Sequence, residues 1–271
     1  MSTAYQREFT PLAAAGWSTA VVLALALLLG ILSGGRSDAL PDLVTIGLAM
    51  AVVHFGIAFA AVRVHAPEGS LRLIFGVGSP KTLDFCAAIM TGVGIVPFLD
   101  WLDALTERRF PQSAADAATS ALMFANGTPA LRLKIGVVLV LLLPLAQELF
   151  FRGLIFSGLS ARSSGRSLVA VVVSTIAFAL SSASPRAIPP MVVLGLILGC
   201  VRAWSQSVVV SMVAHASYSL ISELPLLQGR PPDTSIAVSF KQAVAMTIVA
   251  AIALVVLGIR ARAPQTVDEP K

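Results

Sequence analysis

Residues 147–153 read Gln-Glu-Leu-Phe-Phe-Arg-Gly, and they end an apolar run from Ala130 to Ala146 broken only by Arg132 and Lys134 near its start. A carboxylate and a guanidinium at membrane depth survive mainly where they pair or line a polar cavity. Spacing i, i+4 sets Glu148 and Arg152 on one helix face, within reach of each other. This heptapeptide is therefore the first place to look for chemistry. The second is a row of polar residues, Ser211, His215, Ser219 and Ser222, which recur every three or four positions in an apolar segment. Side chains aligned this way point into a bundle interior or a wet cavity and not at lipid. Tyr218 and Glu223 border the row.

The elements that must hold these groups follow from composition. The chain has 271 residues, 56% hydrophobic and 12% charged, with a mean hydropathy of +0.87. Soluble domains carry roughly 25% charged residues, so the reading is an all-α, polytopic transmembrane bundle, one domain over 1–271. Spans are expected at about 13–33, 43–63, 83–102, 131–150, 167–182, 188–204, 206–223 and 238–260, each near the ~20 residues needed to cross. Eight is the best count; 167–182 is short and 188–223 can be split differently, which leaves seven open. The polar stretch 104–129 is expected to be a connection, with a short surface helix over 113–125. Pro189-Pro190 opens a helix in which Gly195 and Gly199, at i, i+4, suit close packing.

The remaining signals are assigned to structure. The sequence pI is about 9.8, yet its 19 Lys and Arg are scattered singly or in pairs between spans. Interfacial anchoring accounts for them, and nucleic acid is not an expected partner. With eight spans, the majority fall on segments that would share the cytoplasmic side with both termini. The first span reads as a signal anchor and not as a cleaved leader, and the location as a bacterial inner membrane. Cys86 and Cys200 fall inside spans and read as small apolar packing residues. His54 reads as an intramembrane histidine satisfied by a hydrogen bond, and Asp84, Asp100 and Asp103 as interfacial.

The three patches together resemble the CPBP family, the type II CAAX prenyl endopeptidases and bacteriocin-processing (Abi) intramembrane proteases. That family's Glu-Glu-x-x-x-Arg, followed by Gly, stands here as Gln147-Glu148-Leu149-Phe150-Phe151-Arg152-Gly153. Its Phe-x-x-x-His stands as Phe178-Ala179-Leu180-Ser181-Ser182, and its His-x-x-x-Asn or Asp as His215-Ala216-Ser217-Tyr218-Ser219. The resemblance is strongest over 140–222, taken as a CPBP-like core. It implies peptide-bond hydrolysis inside the membrane, where a carboxylate and an imidazole activate a water and further donors hold the oxyanion. The family's roles map onto Gln147, Ser182, His215 and Ser219. Glu148, Arg152 and His215 are retained, whereas Gln147 and Ser182 replace the water-activating Glu and His, and Ser219 replaces Asn.

Several readings follow from these substitutions. Glu148 takes over as base with His215 polarising the carbonyl, or Ser182 or Ser219 forms a nucleophilic dyad with His215. Alternatively the chain is a pseudoprotease that binds a transmembrane or lipidated peptide, or partners an active paralogue. No cofactor is expected. Family analogy suggests zinc, but zinc wants three protein ligands, and only Glu148 and His215, with His54 as an outsider, are available. A transporter reading lacks the symmetric pair of broken helices that such folds use.

Overall fold

The computed structural model describes residues 9–34, 42–111, 128–160, 168–182, 185–230 and 240–262. Every regular element among the described residues is helical. In chain order they are α1 (Pro11–Leu32), α2 (Leu43–His65), α3 (Leu71–Ile74), α4 (Thr82–Arg109), α5 (Pro129–Ser160), α6 (Leu168–Leu180), α7 (Ile188–Ser205), α8 (Val208–Ser222), α9 (Leu224–Leu227) and α10 (Phe240–Arg262). The helix proposed over 113–125 lies outside the described residues.

Helix starts are set by local chemistry. Thr10 Oγ1 accepts from the Ala13 N–H at 3.1 Å ahead of Pro11. Asp42 accepts from the N–H groups of Val44 and Thr45 at 2.9 and 3.0 Å. Those bonds, Thr45 foremost, hold the Asp42 carboxyl below its ordinary range, as an N-cap acceptor should be.

Six helices are long and apolar enough to cross a bilayer, namely α1, α2, α4, α5, α7 and α10. Large apolar side chains on their outer faces are exposed, among them Leu23, Leu27 and Ile31 on α1 and Ile252, Val255 and Ile259 on α10. An exterior this apolar fits lipid and not water, so the chain is an integral membrane protein. The other two expected spans are shorter than anticipated. α6 has 13 residues and α8 has 15, and at 1.5 Å per residue the longer covers only roughly 23 Å. Both pack within the bundle: α6 lies along α7, and α8 along α4 and α5.

Two boundaries also differ from the sequence expectation. The span placed at 131–150 continues as one helix to Ser160, because Phe150 to Phe156 are buried on all sides and leave no solvated turn. α4 likewise runs on to Arg109 through the stretch expected to be a connection. There Arg186 reaches across to Asp103 at 2.5 Å and Glu107 at 3.4 Å. The Asp103 hydrogen bond raises the Arg186 pKa above its ordinary value. The expected interfacial role of Asp84 takes a specific form, an ion pair with Arg260 of α10 at 2.6 Å.

Close helix approach rests on glycine. A Cβ at Gly92 of α4 would run into the Ala214 carbonyl of α8 and meet Ser217 Cβ at 3.0 Å. Gly199 of α7 lies against Val171 Cγ1 of α6, where a Cβ would stand 3.0 Å away. Gly56 of α2, by contrast, has nothing within 4 Å of its Cβ direction. Gly92→Val is expected to destabilise the fold by about 1–3 kcal/mol through overpacking. Gly56→Ala is expected to be neutral or stabilising by about 0.5–1 kcal/mol. Thermal unfolding of the two purified variants in detergent checks the contrast.

Candidate functional site

The site is built on α5, whose hydrogen-bond pattern widens to π-helix twice, at Val137–Leu142 and Leu149–Ile155. π-bulges inside α-helices are rare and frequent at functional sites. The second holds Arg152, and Glu148 is the last residue before it. Both side chains are fully buried.

Glu148 and Arg152 form the ion pair that their spacing implies, with Arg152 Nη1 donating to Glu148 Oε1 at 2.9 Å. The same carboxylate oxygen lies 3.0 Å from His215 Nδ1 on α8. A carboxylate only accepts, so this contact calls for Nδ1–H as donor. Arg152 Nη2 donates to the Gly195 carbonyl of α7 at 3.0 Å. A Cβ at Gly195 would stand 3.4 Å from that nitrogen and 3.0 Å from Thr175. The guanidinium also lies over the Phe178 ring of α6, 4.6 Å from its centroid, a cation–π arrangement strengthened by desolvation. Phe178 in turn meets the His215 ring edge-on at 5.7 Å.

A second arginine completes the assembly. Arg202 of α7 is buried, donates from Nε to the Arg152 carbonyl at 3.3 Å, and from Nη2 to Ser157 Oγ at 3.0 Å. Sequence reasoning counted Arg202 among the interfacial cations at the end of a span. Its position within the last apolar turn of α7, and not beyond it, is the only available signal. The Gly195 carbonyl was invisible to such reasoning, since a main-chain acceptor has no residue signature.

The substituted motif positions stand apart from this cluster. Gln147 is half-buried on α5. Ser182 is half-buried past the end of α6 and donates to the Ala179 carbonyl at 2.6 Å, within its own turn. Ser219 is buried one turn beyond His215, and Ser211, one turn before it, donates to the Val208 carbonyl at 3.0 Å. Among the described residues no hydrogen bond joins Gln147, Ser182 or Ser219 to His215. His54 is buried against Phe150 and Phe151, with Nδ1 2.7 Å from the Met50 carbonyl. That is the local bond expected of it.

The donor set does not fit a metal. The near oxygen of Glu148 is taken by Arg152 and His215, and among the described residues no third His, Cys, Asp or Glu joins them. Zinc requires three protein ligands.

Residues 129–221, which run from the start of α5 almost to the end of α8, match the family described as type II CAAX prenyl endopeptidase Rce1-like. The matched segment contains Glu148, Arg152 and His215, and over it the chain is similar to that family. Nothing matches among curated proteins or among solved structures.

The pair tests as a structural unit. Arg152→Met leaves Glu148 charged and buried without its counter-ion, and a loss of about 3–5 kcal/mol is expected. Adding Glu148→Gln to Arg152→Met is expected to recover part of that loss, since coupled sites are non-additive. Denaturant melts of the wild type and the two variants in detergent read the difference.

Proposed function

We propose that this protein is a pseudoprotease of the CAAX type, which binds apolar or lipidated peptides within the membrane and does not hydrolyse them. The observation that supports this most is the state of Glu148. It is fully buried, and the oxygen facing His215 is shared with Arg152. A carboxylate held this way serves helix packing and is poorly placed to take a proton from water. The position where the family has its other glutamate is Gln147, whose amide has no basic site near neutral pH. The family's second histidine is replaced by Ser182, whose hydroxyl is spent on a carbonyl of its own turn. Shape is thus retained where acid–base capacity is lost. The protein would present its peptide to an active paralogue, or withhold it. The proposed setting is a bacterial inner membrane, in which the distribution of Lys and Arg favours both termini on the cytoplasmic side.

One observation favours a second reading. Glu148 faces His215 Nδ1, the way a carboxylate orients the imidazole of a catalytic triad so that Nε2 becomes the base. In that reading His215 itself would activate a water.

The full-length protein reconstituted in vesicles, given farnesylated C-terminal peptides, separates the two. Saturable binding with no cleaved product is the expected result. Product formation by the wild type that disappears in His215→Ala overturns the pseudoprotease reading and installs the second.

A further inference from the structure

Two adjoining hollows lie on the seam between α5 and α8. They measure about 480 and 530 Å³ and share Val137 and Leu141, so they form one groove. At one end it reaches Leu145, Met212 and Ala216, the last being the neighbour of His215. At the other it reaches Pro129, Arg132 and Leu227. Its walls are open to the surface, with Val137 49%, Leu141 58% and Leu145 42% exposed. The first π segment, Val137–Leu142, runs along it. Arg132 is the single polar residue in the lining.

Charge is gathered at that end alone. The Arg132 guanidinium lies against Gly229, whose φ of +69° and lack of a Cβ leave room for it. Arg230 follows directly, and Lys134 is exposed on the next part of α5. Among the described residues no carboxylate pairs with any of the three. The site also sits at the N-terminal turn of a long helix, whose dipole favours an anion. From Arg132 to Leu145 the helix axis covers roughly 20 Å, more than half of the ~30 Å hydrocarbon core. A headgroup-depth cation and an apolar channel leading past mid-membrane are thus joined end to end.

We propose that this groove holds one acyl chain of an anionic phospholipid, with its phosphate on Arg132. The planar guanidinium fork matches phosphate oxygens in a bidentate manner, and neighbouring Arg230 and Lys134 add to the local positive potential. The groove faces the surrounding lipid and offers no polar partner for a peptide backbone along its length. A hydrocarbon chain therefore fits it better than a peptide does. The inference is independent of what His215 does.

The test is retention of lipid by the purified full-length protein, released from vesicles of phosphatidylcholine mixed with phosphatidylglycerol and weighed by native mass spectrometry. The wild type is expected to keep one phosphatidylglycerol in preference to phosphatidylcholine. Arg132→Gln is expected to lose that preference and Arg132→Lys to keep most of it, with melting temperatures unchanged. Met212→Trp, which fills the groove, is expected to lower retention of both lipids. Equal retention of the two lipids by the wild type, or an undiminished preference in Arg132→Gln, overturns the proposal. So does a farnesylated peptide that displaces phosphatidylglycerol and itself fails to bind Met212→Trp, which would give the groove to peptide.

Discussion

Burying an ionised carboxylate and an ionised guanidinium removes several kcal/mol of hydration per ion, and their mutual attraction offsets this only when the remaining donors and acceptors are met. Glu148 and Arg152 meet most of that demand by recruiting three helices, with Glu148 Oε2 and Arg152 Nε left buried without a hydrogen-bond partner among the described residues. α8 supplies His215 to the carboxylate, α7 supplies the Gly195 carbonyl to the guanidinium, and α6 supplies the Phe178 ring above it. The pair lies within one helix, but its satisfaction is wholly tertiary. Any rearrangement of α5 against α6, α7 or α8 would leave a charge unmet, so the pair specifies their mutual positions.

The same requirement explains why the helices around it need not all span. α6 and α8 are shorter than the hydrocarbon core is thick, which is unfavourable for a lone helix facing lipid. Inside a bundle their ends meet protein, and the glycines at 92, 195 and 199 bring neighbouring backbones near enough to do so. Arg202 adds a second layer, tying α7 to the backbone of the π segment that carries Arg152. A widened turn leaves main-chain carbonyls without their usual i+4 donors, and a buried arginine is one way to meet them.

Retained and substituted motif positions therefore divide along a physical line. Glu148, Arg152 and His215 belong to the network that sets helix positions. Gln147, Ser182 and Ser219 make no hydrogen bond to it among the described residues. Substitution at the second set leaves the packing network of Glu148, Arg152 and His215 intact.

Much of this was legible in the amino-acid sequence. Apolar runs located all eight principal helices, since hydropathy over twenty residues has one dominant physical cause. The i, i+4 spacing of Glu148 and Arg152 announced their pairing, and the serine–histidine row announced the buried face of α8. Boundaries were less legible. Glu107, Arg108 and Arg109 read as a loop by composition, but Arg186 from a segment 77 positions or more away lets the helix continue through them. What only the tertiary structure decided was which partner each buried group would take. His215 on Glu148, Arg152 on a glycine carbonyl, Arg202 on the Arg152 backbone and the groove ending in Arg132 are contacts between distant segments. Local periodicity dictates which face of a helix is buried, whereas hydrogen-bond geometry across helices depends on their packing, and packing is a property of the whole bundle.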